Sequence, residues 1–287
     1  MNKLFFIIPL LIVGCSKPEV KTEQVKLPSV IASSSNELDD AGSVVQNKND
    51  GPCPNDMVYI DGSYCSSVFH HCIKGGKDHL YNKVGDPEPY YCDEYKEENI
   101  KCLGTEYPIK YCMDKYELPN VVGEMPLVMI SWYDAKNICE SKGKRLCSDK
   151  EFIVACEGPQ HQPSAFGWKR DRENCHIDTQ WIQPNNGILA GNDQNKIDEE
   201  INRISRREPV GNRPNCVSPY GVFDLNSNVD EWYVNTLHAH EKGYFQSVFF
   251  GGHHISGARN HCRTATYSHN EITKYYVESG RCCKNVE

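Results

Sequence analysis

Tyr220-Gly-Val-Phe-Asp-Leu-Asn-Ser-Asn-Val-Asp-Glu-Trp232 is the stretch on which the reading of this sequence turns. Asp, Asn and Ser crowd between Tyr220-Gly and Trp232, a composition that favours Asx-type turns over a helix. The surrounding C-terminal region is rich in Gly, Pro and Asn, and reads as loops and short strands. Upstream the pattern changes. Ser131 reads as a helix N-cap, followed by Trp132, Ala135 and Cys139 on the apolar face and Gly143 as the stop. Ser148-Asp-Lys-Glu151 is a capping-box pattern that opens a second helix through Phe152, Ile153 and Ala155 to Gly158-Pro. Residues 126–130 read as a short apolar strand, and Met57-Val-Tyr-Ile-Asp-Gly-Ser-Tyr-Cys65 as a strand entering a bend. Residues 66–110 are polar, carry Cys72, Cys92 and Cys102, and read as an inserted subdomain. The acidic residues 193–200 read as a solvated loop. The layout is α+β with little regular structure.

The chain has 287 residues, with 31 Lys and Arg against 39 Asp and Glu, for a net charge of −8. That balance excludes a nucleic-acid binder, which needs a basic face for phosphate. Fifteen cysteines point to an oxidising compartment and a stapled fold. The N-terminus agrees. Lys3 precedes an apolar run over residues 4–13, too short to span a bilayer, which takes about 20 residues, and suited to a signal-peptide core. It ends Leu11-Ile-Val-Gly-Cys15, which resembles a bacterial lipobox with lipid on Cys15; an ordinary secretory signal beside a chance cysteine is the alternative. Ser16 after the lipid site favours the outer membrane by the same resemblance. Residues 15–52 then form a lipidated polar tether with a reach of about 30–40 Å, and residues 53–287 form the folded domain.

Several motifs in that domain occur in a recognisable order: Met57-Val-Tyr-Ile-Asp-Gly, Asp114-Lys-Tyr-Glu117, Pro126-Leu-Val-Met-Ile-Ser-Trp-Tyr-Asp-Ala135, Gly143-Lys-Arg-Leu146, Phe166-Gly-Trp168, the 220–232 stretch, Gly251-Gly252 and Gly280-Arg-Cys282. Together they resemble the formylglycine-generating enzyme family, or sulfatase-modifying factors, whose domain is a variant of the C-type lectin fold. The resemblance implies that fold over residues 53–287, with residues 66–110 as an insertion.

Family members oxidise a substrate cysteine to formylglycine with oxygen, using two active-site cysteines and, in the aerobic enzymes, copper. A soft thiolate pair suits Cu(I). Here the stretch after Gly252 reads His253-His-Ile-Ser-Gly-Ala-Arg-Asn-His-Cys262, with Ser256 at the first cysteine position. Cys262 matches a structural cysteine instead, so neither oxidase activity nor copper is implied. The resemblance pairs Cys139 with Cys282 and Cys156 with Cys262. Cys147 with Cys283 and Cys175 with Cys216 are guesses, and no Cys-x-x-Cys suggests a redox or metal thiol. It also implies a structural calcium site, with carboxylates from Asp224 and Glu231 and carbonyls from Ser227 and Val229; plain Asx turns are the alternative. A second, looser site would use Asn174 and perhaps Asn202. His253, His254, Ser256, Arg259 and His261 would line the old substrate groove, as a polar wall or as satisfied histidines. Adjacent strand residues point to opposite faces, so one metal could hardly take both His253 and His254.

The functional expectation is a non-catalytic, lipid-anchored envelope protein that binds a protein or glycan in that groove. Related domains display diversified C-terminal loops, here residues 253–274. An oxidase with rearranged thiols and a structural envelope-assembly component are the alternatives.

Overall fold

The computed structural model describes residues 51–76, 91–255 and 259–286. The expected signal segment 1–14, Cys15, nearly all of the tether and Ser256 lie outside the described residues.

The first sheet begins with β1 (Met57–Cys65) and β4 (Glu106–Asp114), antiparallel from Met57 opposite Asp114 to Cys65 opposite Glu106. Alternation along β1 buries Ile60 and Tyr64 and leaves Tyr59 and Asp61 on the solvent side. The β1–β4 ladder fixes where the insertion ends. Residues 106–110, expected within it, belong to β4. Between the two strands, β2 (Cys72–Gly76) and β3 (Tyr91–Tyr95) form a separate antiparallel pair. The insertion docks through main-chain bonds from Tyr95 N to Trp168 O (2.8 Å) and from Arg170 N to Asp93 O (2.9 Å).

Both expected helices are present, as α1 (Trp132–Ser141) and α2 (Asp149–Glu157). Each has a full capping box, Ser131 with Asp134 and Ser148 with Glu151, which satisfies otherwise orphaned N–H groups. The strand expected over residues 126–130 is not formed. Met129 sits at φ +57°, and the flanking N–H groups bond to different segments, Leu127 to Leu118 O and Met129 to Tyr275 O. β5 (Arg145–Leu146) and β9 (Cys282–Asn285) complete the first sheet in the order β1-β4-β9-β5.

Residues 193–200 are not a loop. After the single-turn α3 (Asn186–Leu189), Asp193 caps α4 (Gln194–Ile204). Ile197, Ile201 and Ile204 fall on one stripe at helical spacing, packed with Leu189, Ile255 and Tyr276. The acidic face of the segment obscured that stripe. In the second sheet β6 (Asp230–Val234) lies between antiparallel β7 (Ser247–Phe250) and parallel β8 (Glu278–Gly280). The main core gathers Ile60, Phe152, Leu225, Tyr233 and Phe250 between the sheets and α2. The result is an α+β fold of low regular content.

Seven disulfides hold it: Cys53–Cys112, Cys65–Cys102, Cys72–Cys92, Cys139–Cys282, Cys147–Cys283, Cys156–Cys262 and Cys175–Cys216. Three of them run from α1, α2 or Cys147, two residues before α2, to the C-terminal 26 residues of the chain. Cys139–Cys282 spans 143 residues, for which loop-closure entropy gives a stabilisation of about 4–5 kcal/mol. Cys139→Ala and Cys282→Ala should therefore lower the denaturant midpoint equally, and the double variant should be little worse. Additive losses would show that the two are not partners.

Candidate functional site

The 220–232 turn is organised by a cation from the protein itself. Arg281, just beyond β8, is fully buried. Its Nε donates to both oxygens of Glu231 (3.1 and 2.9 Å), its Nη2 to Glu231 Oε1 and to Phe223 O (2.9 Å), and its Nη1 to Asp114 O (3.1 Å). The Tyr233 hydroxyl donates to Glu231 Oε2. Glu117 closes the turn from the other side, accepting from Val229 N (3.1 Å) and Asn228 Nδ2 (2.7 Å). Asp224 sits at φ +60° and accepts from the Ser227 hydroxyl at 3.2 Å. Burial works against the Arg281 charge, but Glu231 outweighs it and holds the guanidinium above its usual range. Burial, then the charges of Asp224 and Glu231, push Glu117 well up, and burial raises Asp224 to about 7.

These contacts bear on the calcium expectation. Both Glu231 oxygens already accept from two donors each, so a calcium ion at Glu231 would have to displace a buried guanidinium. The donor set does not fit calcium held through Glu231. No three His, Cys, Asp or Glu side chains among the described residues converge on a possible metal position. The second set is not assembled either: Asn174 is bound to Asp171 in an Asx turn (Nδ2 to Oδ2, 2.6 Å), and Asn202 lies on the exposed side of α4.

The groove after Gly251-Gly252 also departs from expectation. Both glycines have positive φ, +104° and +78°, and a Cβ on them would meet Leu225 O at 3.0 Å and Arg259 backbone at 2.7 Å. This tight turn drops His254 into the interior, where it is fully buried and lines no groove. Its backbone N donates to Asn228 O (3.0 Å), its Nδ1 lies 2.7 Å from Thr179 Oγ1, and its ring stacks on His176 at 5.5 Å. His253 stays partly exposed, accepting from Ile255 N at Nδ1. Arg259 turns inward to Asp230 (2.9 Å), which also accepts from Gly252 N (2.8 Å). His261 is covered by the insertion, its ring 5.2 Å from His70 and 5.6 Å from Tyr95. Of the five groove residues, one is outside the described residues, His254 is buried, and His253, Arg259 and His261 keep partial exposure.

The sequence reading missed two charged pairs. The parallel register of β6 and β8 sets Asp230 opposite Glu278. Burial, then Asp230, pushes Glu278 up to about 9, and its Oε2 has no hydrogen-bond partner. The second is Glu231 with Arg281. A signal was available for both, since each charge stands inside a short segment otherwise made of core residues.

With this geometry in place, comparison with known proteins identifies the chain. Residues 108–286 match the Sulfatase-modifying factor enzyme 1-like domain, and the chain belongs to that family. It is 29% identical over 116 residues to the inactive C-alpha-formylglycine-generating enzyme 2 of Bos taurus, which is 40% of this chain and 35% of the relative. The Mus musculus counterpart is 29% identical over 113 residues, 39% of this chain and 33% of the relative. The chain thus matches about a third of the length of these curated relatives. The solved structure of CarF superposes with a TM-score of 0.50, covering 82% of this chain and 99% of CarF at 12% identity, a likeness of fold alone.

Arg281→Met should cost about 3–5 kcal/mol by stranding Glu231, and Glu231→Gln on that background should recover part of it. The unmodified protein should melt alike with calcium or a chelator. Burial lowers the His254 pKa to about 2 and the His261 pKa to about 3, from 6.5 when unfolded. Below 6.5 the unfolded chain therefore binds more protons, so stability is full above that pH and falls as the pH drops through it. His254→Asn should flatten this acid slope in pH-dependent denaturant titrations.

Proposed function

We propose that this is a non-catalytic formylglycine-generating-enzyme-like domain that acts by recognition, held at a bacterial cell envelope through lipid on Cys15. One observation carries the first part: each of the fourteen cysteines from Cys53 to Cys283 is in a disulfide, so the folded domain offers no thiol for the family's oxidation chemistry. The name "inactive" on the two mammalian relatives supports the same reading. His253 and the accessible edges of Arg259 and His261 form the rim that would meet a protein or glycan. The turn beneath is fixed by Gly251, Gly252 and Asp230, so little ordering entropy is lost on binding.

Intact mass before and after alkylation without reductant tests the thiol argument. No label on Cys53 to Cys283, and no formylglycine from a cysteine peptide with copper and oxygen, is the expected result; a labelled thiol pair with peptide conversion would reverse it. The anchor is tested separately. Expression in a bacterium fed an alkyne-tagged fatty acid should label the chain, and Cys15→Ser should abolish labelling and release the protein from the membrane fraction.

A further inference from the structure

A second recess has a lining distinct from the Gly251-Gly252 rim, although its first wall is bonded to Asn260 O and Cys262 N next to that rim. One wall is the chain that leaves α2, a short 3-10 turn (Gly158–Gln160) and the turn through Phe166; the other is the loop 215–219. They border an open, solvent-facing recess of about 490 Å³, within the range of roughly 300–1,000 Å³ typical of small-ligand sites. Each wall is pinned. Cys156–Cys262 and the bond from Ala165 N to Asn226 Oδ1 (2.8 Å) hold the first, and Cys175–Cys216 and the bond from Ser218 N to Val222 O (2.8 Å) hold the second. At one end the walls touch, where a Cβ on Gly158 would stand 2.5 Å from the Pro219 ring.

The lining chemistry is specific. None of the lining residues is charged. Gln160, Gln162 and Asn215 supply side-chain amides and Ser218 a hydroxyl, and Phe166 is backed by the Cys175–Cys216 cluster. The lateral bonds among them are few: Gln162 Nε2 to Gln160 Oε1 (3.3 Å) and Asn215 Nδ2 to Asn174 Oδ1 (2.9 Å). Among the described residues these leave an amide NH2 on Gln160 and amide oxygens on Gln162 and Asn215 uncommitted. An amide pairs with groups that both donate and accept, as sugar hydroxyls do, whereas a carboxylate or ammonium offers one sense only. An aromatic ring suits the C–H face of a pyranose. An anionic ligand finds no cation here. An extended peptide would look for a strand edge to extend, and the walls are turns.

We propose that this recess is a binding site for a neutral oligosaccharide, gripped by Gln160, Gln162 and Asn215 with a sugar face on Phe166. It shares no residue with the Gly251-Gly252 rim, so it stands or falls independently of that surface and of the thiol chemistry.

The test is titration of the full-length protein with chitotriose, cellotriose and maltotriose, followed by saturation-transfer NMR and calorimetry. 3′-Sialyllactose and the N-acetylated, C-amidated and therefore uncharged peptide Gly-Pro-Gln-Gly serve as comparison probes. At least one neutral trisaccharide should bind. Gln160→Ala and Asn215→Ala, both at exposed positions, should each weaken it about five- to tenfold with an unchanged melting temperature. Three results would overturn the proposal: no neutral trisaccharide bound up to about 10 mM, binding that neither variant weakens, or tighter binding of the sialylated sugar or the peptide.

Discussion

The contact between Arg281 and Glu231 is the constraint on which the rest of the domain depends. A guanidinium with no solvent exposure is tolerated only when its donors are used, and here they reach the Glu231 carboxylate, Asp114 O and Phe223 O. Those acceptors come from β6, the end of β4 and the 220–232 turn. One side chain thus joins the two sheets to the polar turn between them. The turn then sets the floor on which Gly251-Gly252 packs, through Leu225 O, and receives His254 through Asn228 O.

The same centre explains the groove. Asp230 stands one residue before Glu231 and faces the other way, so it meets Gly252 N and Arg259 and pulls the following loop inward. His254 is lost to the core as a consequence. The insertion completes the closure, since the Cys65–Cys102 and Cys72–Cys92 staples hold His70 and Tyr95 against His261. Its cysteines from Cys53 to Cys283 are all used to restrain the unfolded chain.

Local rules carried the sequence reading where the deciding interaction is local. The Ser131 cap and the Ser148–Glu151 capping box are contacts three residues apart and form where the sequence places them, and the structure adds Asp134 as the reciprocal partner of Ser131. They failed where distant segments decide. Residues 126–130 have a strand's composition, but Leu118 and Tyr275 claim their N–H groups separately. In α4 the Ile197, Ile201 and Ile204 stripe was written in the sequence and masked by the acids between, of which Asp198 and Glu199 face water while Glu200 is buried against Asn185 N and Arg203.

By itself the sequence determined the family, the order of its motifs and the two helix starts, because each rests on residue types at fixed spacing. The tertiary structure alone decided what the charged residues do. Glu231 looks like a cation ligand in a polar turn, and its cation proves to be a guanidinium 50 residues later in the chain. Spacing along the chain says nothing of such a meeting, since a parallel β6–β8 register and the burial of both partners are needed to produce it. The fates of His254 and His261 were hidden for the same reason: exposure belongs to the packed molecule, not to the residue.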